Sequence, residues 1–445
     1  MTKKEPSGYR GAALQALESA GVEVGDIVRV RKGDRVFEGT LLPRSEYGGE
    51  DCLVVKLRNG YNVGVRMTPD TEIKRTGRGI KPSFESPGLP SQKSGLPKVA
   101  LISTGGTIAS RVDYRTGAVR PALTANDLYS VVPELAEIAQ VDAQILTTLF
   151  SENITPSHWT EIAQATARQI KSGVDGVVIA HGTDTMGYTA AAMSFCLQNL
   201  PVPVVLVGSQ RSADRPSSDA ATNLIAATAC AARAPFAEVV VAMHETVSDT
   251  AVAFHRGTRV RKCHTSRRDA FRSVNARPLA RTSGHDIEVL TCEYRKRQPG
   301  AQLMLKTDFE EKVALSKFYP GIDAAIFDLY VEKGYRGIVL EGTGLGHVGK
   351  YLFTALRNVI EHGVVVVMCS QCIWGRVNMN VYESGRDLLA LGVIPLADML
   401  PETALVKLMW TLGQTRDVAE AGGIMRMNLA GEMSARTGVE KVGFE

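Results

Sequence analysis

Over the first hundred residues apolar and polar positions alternate in short runs; beyond them apolar residues gather into near-continuous blocks. Tyr9–Ala20 reads as a short helix closed by Gly21. From Val22 the chain runs V-E-V-G-D-I-V-R-V-R, R-V-F-E-G-T-L-L, C-L-V-V-K-L and Y-N-V-G-V, separated by glycine-bearing turns. Alternation over short runs predicts a small antiparallel β-barrel or sandwich, with the helix in front, over residues 1–75. Residues 76–97 are rich in Pro, Gly and Ser and have little to bury, so they read as a linker.

After the linker the rhythm becomes strand, turn, helix. V-A-L-I-S-T runs into Gly105-Gly106-Thr107, G-V-V-I-A-H into Gly182-Thr183-Asp184-Thr185, and V-P-V-V-L-V into G-S-Q-R-S-A-D-R-P-S-S-D. Such apolar blocks alternating with helices predict a parallel sheet covered on both faces, over residues 98–300. Ligands of such sheets bind beyond the carboxyl ends of the strands, where all three polar clusters fall. One crevice is therefore expected to collect them. A second, smaller α/β domain is expected over 301–445, from G-I-V-L-E-G-T-G-L-G-H-V and V-V-V-V-M-C-S-Q with a helical segment between them.

Composition narrows the class. The 445-residue chain is 44% apolar and 22% charged, ordinary for a water-exposed globular protein. No apolar run approaches membrane-spanning length, and no secretory signal opens the chain, so a cytoplasmic location away from membranes is expected. Seven cysteines are too few to suggest a disulfide framework. Cys369-Ser-Gln-Cys372 reads as strand-end thiols, and no His, Asp or Glu spacing suggests a metal. The net charge of +4 is too small to imply a nucleic-acid binder, although residues 1–98 carry 17 Lys and Arg against 12 Asp and Glu.

Chemistry is offered by the strand ends. A threonine hydroxyl is a poor nucleophile without a base or a lysine. Helix amides after Thr185 suit a carboxylate or an oxyanion, while Asp and Thr in the same positions equally suit helix capping.

The pair V-A-L-I-S-T-G-G-T-I-A-S and V-V-I-A-H-G-T-D-T-M resembles the paired signature of the L-asparaginase/glutaminase family. The resemblance continues through G-S-Q-R-S-A-D-R-P-S-S-D-A-A-T-N-L and R-V-R-K-C-H-T-S-R-R-D-A-F-R-S-V-N, from Lys98 to Gly413. It implies a two-domain asparaginase-like α/β fold: a flavodoxin-like parallel sheet plus a smaller α/β domain, here preceded by the N-terminal β-domain. It also implies that Thr107 attacks a side-chain amide with Tyr114 beside it, and that Thr183, Asp184 and Lys262 form a second catalytic cluster. Which threonine attacks stays open. Ser151 and Glu152 would grip the substrate's α-groups, with Gly106 and Gly182 lining the site; family members often have Gln where Glu152 stands. An ordinary lysine is neutral in only about one molecule in 2,500 at pH 7. Lys262 therefore acts either as a base made neutral by burial or as a cation favouring negative charge. Family enzymes add a residue from a partner copy, for which Tyr382 and Glu383 are weak candidates. His181 and His347 read as structural.

The β-domain and linker before the first glycine turn resemble the D subunits of archaeal glutamyl-tRNA(Gln) amidotransferases, a branch of that family. That likeness implies a glutaminase subunit, a homodimer within a heterotetramer. Its partner would be the E subunit of the same glutamyl-tRNA(Gln) amidotransferase, which binds tRNA(Gln) and uses ATP and Mg²⁺; this chain itself would hold no cofactor. A free-standing asparaginase and a non-enzymatic scaffold are the alternatives.

Overall fold

Short strands with one apolar face pair so as to bury it, and the N-terminal part does so around a helix. The computed structural model describes residues 8–44, 50–58, 62–78, 95–106, 108, 110–112, 119–121, 132–211, 218–283 and 286–437. Helix α1 (Gly11–Ser19) is followed by β1 (Ile27–Lys32), β2 (Arg35–Leu41), β3 (Cys52–Leu57), β4 (Asn62–Arg66) and β5 (Thr71–Gly77). They form one antiparallel sheet in the order β4-β3-β2-β1-β5. Val28 and Val30 of β1 are buried with Ala13 and Leu17 of α1, while Arg29 and Arg31 face outward. Strand β5 reaches Gly77 because Gly77 pairs with Ile27, so the sheet extends into the segment read as linker. Most of that segment lies outside the described residues.

The main sheet has eight strands. Its parallel part comprises β6 (Lys98–Gly105), β7 (Gln140–Leu149), β8 (Gly176–Ala180), β9 (Val204–Val207) and β10 (Val239–His244). Strand β11 (Val252–Arg256) turns back antiparallel to β10. Two short strands, Ala280–Ser283 and Asp286–Val289, complete that edge. From one edge, β7, β6, β8, β9 and β10 are neighbours in that order. Strands β8, β9 and β10 are buried throughout, as strands covered on both faces must be. Helices α2 (Pro156–Lys171) and α3 (Met186–Cys196) pack with one face of the sheet, α4 (Ala220–Arg233) with the other.

A hairpin of β12 (Val260–Lys262) and β13 (Phe271–Ser273) stands apart from the main sheet. The second sheet is parallel: β14 (Val313–Lys317), β15 (Gly337–Gly342), β16 (Val365–Ser370) and β17 (Ile394–Pro395). It begins one strand before the run G-I-V-L-E-G, within the span 301–445 expected for the smaller domain. Helices α5 (Ala325–Glu332), α6 (Phe353–Glu361), α7 (Glu383–Leu391) and α8 (Pro401–Gln414) accompany it. All seven cysteines are free; Cys369 is buried and Cys372 exposed, so the C-x-x-C spacing splits between core and surface.

Candidate active site

The three glycine-bearing turns leave adjacent parallel strands, and their backbones abut. Gly105 and Gly106 have φ of +104° and +84°, a region that residues with a Cβ rarely enter. A Cβ on Gly106 would lie 2.4 Å from the Gly182 nitrogen and 2.5 Å from its Cα. One on Gly182 would lie 2.8 Å from Ser151 Cβ, and one on Gly208 2.8 Å from Thr183 Cγ2. The ends of β6, β8 and β9 therefore sit at backbone contact, with Thr183 held between Gly208 and the hairpin.

Lys262, at the end of β12, brings the charge. Its Nζ donates to Thr183 Oγ1 at 2.9 Å and to Asp184 Oδ1 at 2.8 Å. Thr183 is buried, Lys262 keeps only 14% of its side chain exposed, and the Asp184 side chain is 68% exposed. A largely covered cation thus touches a buried hydroxyl and a carboxylate at the crevice mouth. Such a donor stabilises an oxygen that gains negative charge. The base of the hairpin is clamped to the second domain by the buried Arg259–Asp398 pair (3.0 Å) and by Arg261–Glu402 (3.1 Å).

The capping alternative does not describe Thr185. It occupies the N-cap position of α3, but its Oγ1 donates to Ser151 O at 2.6 Å. That bond fastens the 3₁₀ turn Ser151–Asn153 to the Gly182 turn, with Ser151 buried and Glu152 exposed. His181 supports the same turn from below. Its Nδ1–H donates to Gly182 O at 2.7 Å, so Nε2 accepts from the Thr189 hydroxyl at 2.9 Å. Trp159 Nε1–H in turn donates to Thr189 Oγ1 at 3.1 Å. Burial pushes His181 down to about 4, so the ring is neutral at physiological pH.

The structure thus brings together Thr183, Asp184, Lys262, Ser151, Gly106 and Gly182. Thr107 and Tyr114 lie outside the described residues. Tyr382 and Glu383, the candidates for a residue supplied by a partner copy, are exposed at the start of α7, where Tyr382 meets His347 edge to face at 5.3 Å. Among the described residues no hydrogen bond joins either to Thr183, Asp184 or Lys262. Gly208 opens the third polar cluster the sequence places at the crevice, but only the fold shows that it backs Thr183. Among the described residues no group of three His, Cys, Asp or Glu could hold a metal ion. No described helix is long and apolar enough to cross a membrane.

Nearly the whole chain is similar to known proteins. The family described as Asparaginase, N-terminal matches residues 98–294, and the Glutaminase/Asparaginase C-terminal domain matches residues 312–425. The GatD N-terminal domain matches residues 22–75. The D subunit of glutamyl-tRNA(Gln) amidotransferase from Pyrococcus furiosus is 53% identical over 427 residues, covering 95% of this chain and 97% of the relative. That of Methanopyrus kandleri is 52% identical over 436 residues, 96% of this chain and 95% of the relative. Among solved structures, the thermostable L-asparaginase from Thermococcus kodakarensis matches with TM-score 0.68 and 34% identity, over 76% of this chain and all of that one. L-asparaginase I from Vibrio cholerae matches with TM-score 0.66 and 30% identity, over 76% of this chain and 99% of that one.

Proposed function

The chain belongs to the family of glutamyl-tRNA(Gln) amidotransferase D subunits, built on the asparaginase fold, and from that premise we propose how its crevice releases ammonia from glutamine. The chain is the glutaminase subunit of a tRNA-dependent amidotransferase that converts Glu-tRNA(Gln) to Gln-tRNA(Gln). One observation carries the chemistry: the Lys262 ammonium lies between the buried Thr183 hydroxyl and the Asp184 carboxylate, above two abutting glycine turns.

Glutamine binds with its α-carboxylate and α-ammonium toward Ser151, Glu152 and Asp184, and its side-chain amide toward the threonines. A threonine oxygen, that of Thr107 or Thr183, bonds to the amide carbon. The carbon–nitrogen bond breaks, and the hydroxyl proton leaves with the nitrogen as ammonia. Lys262 and the amides of the glycine turns, Gly106 and Gly182 among them, hold the oxyanion that forms in between. Water then cleaves the acyl-threonine, giving glutamate and the free hydroxyl. The resemblance to the asparaginase family assigns Tyr114 to orient Thr107.

The ammonia serves a partner subunit, for which the E subunit of the same amidotransferase family is the candidate. That subunit binds tRNA(Gln) and uses ATP and Mg²⁺ to activate the glutamyl group. Two copies of each chain in a cytoplasmic heterotetramer fit this division, and free hydrolysis would waste glutamine. The test is ammonia release from glutamine and from asparagine, by this chain alone and with the E subunit and Glu-tRNA(Gln). Release from glutamine that rises with the partner and charged tRNA supports the reading. Fast, partner-independent turnover of asparagine makes it a free-standing asparaginase, and full transamidation by Thr107→Ala and Thr183→Ala makes it a scaffold.

A further inference from the structure

A second polar network begins on the far side of Thr183 and returns to Lys262. Gly208, which backs Thr183, accepts at its carbonyl from Asn223 Nδ2 at 3.0 Å. The same amide nitrogen donates to Asp219 Oδ2 at 3.1 Å. With two oxygens taking its nitrogen, the Asn223 amide turns its Oδ1 to the buried ring of His244, 2.6 Å from Nδ1. An amide oxygen only accepts, so Nδ1 carries a proton. The other ring nitrogen, Nε2, faces Asp249 Oδ1 at 3.0 Å. That carboxylate also accepts from Arg268 Nη1 at 2.7 Å, as one half of an ion pair. Both nitrogens of one ring therefore face acceptors, and only the doubly protonated ring donates to both.

Arg268 lies in the turn of the hairpin whose first strand ends in Lys262. A second tether joins the same hairpin to the same loop: Arg272 Nη1 donates to Glu245 O at 3.0 Å. The path closes a ring around the reacting group, from Thr183 through Gly208, Asn223, His244, Asp249 and Arg268 to Lys262 and back to Thr183. Charged groups around His244 include Asp219 at the N-cap of α4, Glu245 and Asp249 from its own loop, Arg268 and Arg272 from the hairpin with Asp269 paired to Arg272, and Arg281 beside Glu245. Val252 pairs with it across the sheet and adds no charge.

We propose that His244, protonated on both ring nitrogens, is a positioning residue that ties the hairpin bearing Lys262 to the strand end backing Thr183. It touches no substrate; it fixes where the ammonium stands. Loss of either proton sets two lone pairs against each other at one end of the ring, and the tie opens there. The inference rests on the glutaminase reading for its consequence, though not for the state of the ring.

Two measurements test it on the full chain in complex with its partner subunit. Nitrogen-15 NMR of histidine-labelled protein, with His244→Gln to assign the resonance, reports the ring directly. Two protonated nitrogens at pH 6.5 are expected, and a single protonated nitrogen overturns the proposal. The second is kcat for ammonia release between pH 6 and 9. His244→Gln is expected to lose about tenfold or more in kcat with little change in KM, since misplacing a catalytic group by about 1 Å costs up to about a hundredfold. The fall of the wild-type kcat toward alkaline pH should be absent from His244→Gln, which has no ring proton to lose. A pH profile in His244→Gln that falls as the wild type's does, or an unchanged kcat in that variant, overturns the proposal. A wild-type complex releasing no ammonia overturns the glutaminase reading instead.

Discussion

Gly106→Ala puts the packing of the two glycine turns under direct test. The new methyl carbon would sit 2.4 Å from the Gly182 nitrogen, 2.5 Å from its Cα and 2.9 Å from the His181 carbonyl carbon. All three are backbone atoms of the next strand end, so no side chain can swing aside. Relief to ordinary contact near 3.5 Å needs the turns to part by about 1 Å. A displacement of that size costs about a hundredfold in rate, and the left-handed backbone adds about 1–2 kcal/mol of strain. Gly173→Ala is the control: Gly173 has φ of +88° and nothing within 4 Å of its Cβ position, so only strain is added there. Both variants would be assayed in the assembled complex for ammonia release and by thermal unfolding. The expected result is destabilisation in both, larger in Gly106→Ala, with kcat lost in Gly106→Ala alone. A folded Gly106→Ala with wild-type kcat would refute the claim that turn contact sets the site, and equal kcat losses in both would trace the effect to stability.

Three further outcomes follow from the same geometry. Lys262→Met removes the donor to Thr183 and should lower kcat by about 10²–10³, more than it raises KM, as steady-state assays of the complex would show. His181 is held down to about 4 by burial, against an ordinary 6.5. Between those values the unfolded chain takes up a proton that the folded chain refuses, so stability is full above pH 6.5 and falls toward pH 4 by about 3 kcal/mol. His255, held down to about 3 by the same cause, adds to this slope; His181→Asn should flatten its share in denaturant titrations at pH 5 and pH 7.5. Lys407 and Glu432 form a wholly buried pair at 2.7 Å. Lys407→Met leaves the carboxylate without its cation and should cost about 3–5 kcal/mol in unfolding free energy, with Lys407→Met/Glu432→Gln recovering much of it.

The parts of this architecture legible in the sequence are those whose burial is uniform. Gly176–Ala180 and Val204–Val207 are apolar at nearly every position because helices cover both faces of the sheet, and they read as strands. Gln140–Leu149 escapes because it is an edge strand, partly exposed along most of its length, with polar residues among the apolar ones. Val313–Lys317 is also an edge strand but mostly buried; it escapes because its apolar run is only three residues before Ser316 and Lys317. The hairpin at Val260–Lys262 and Phe271–Ser273 is too short and too charged for periodicity to mark, so Lys262 stands out only through its motif. The His244 network is invisible in the sequence because its members lie far apart and are joined by folding alone.

A glycine turn after a buried strand usually serves a phosphate, whose oxygens take the free amides of the turn. Here the space above Gly106 is filled by the backbone of Gly182, and that above Gly208 by the methyl of Thr183. The glycines therefore bring strand ends together rather than cradle a phosphate. What they achieve is registry: Gly106 and Thr183 end neighbouring strands, and each is fixed relative to the other by atoms that have no rotamers. The cation has the opposite character. Lys262 reaches the crevice from a hairpin outside the main sheet, held by Arg268 on Asp249, Arg259 on Asp398 and Arg261 on Glu402. A rigid pair of turns with a separately tethered ammonium divides the work, for the hydroxyl is placed by packing and the charge by polar ties. Packing changes only when the core does, whereas polar ties can be remade one at a time.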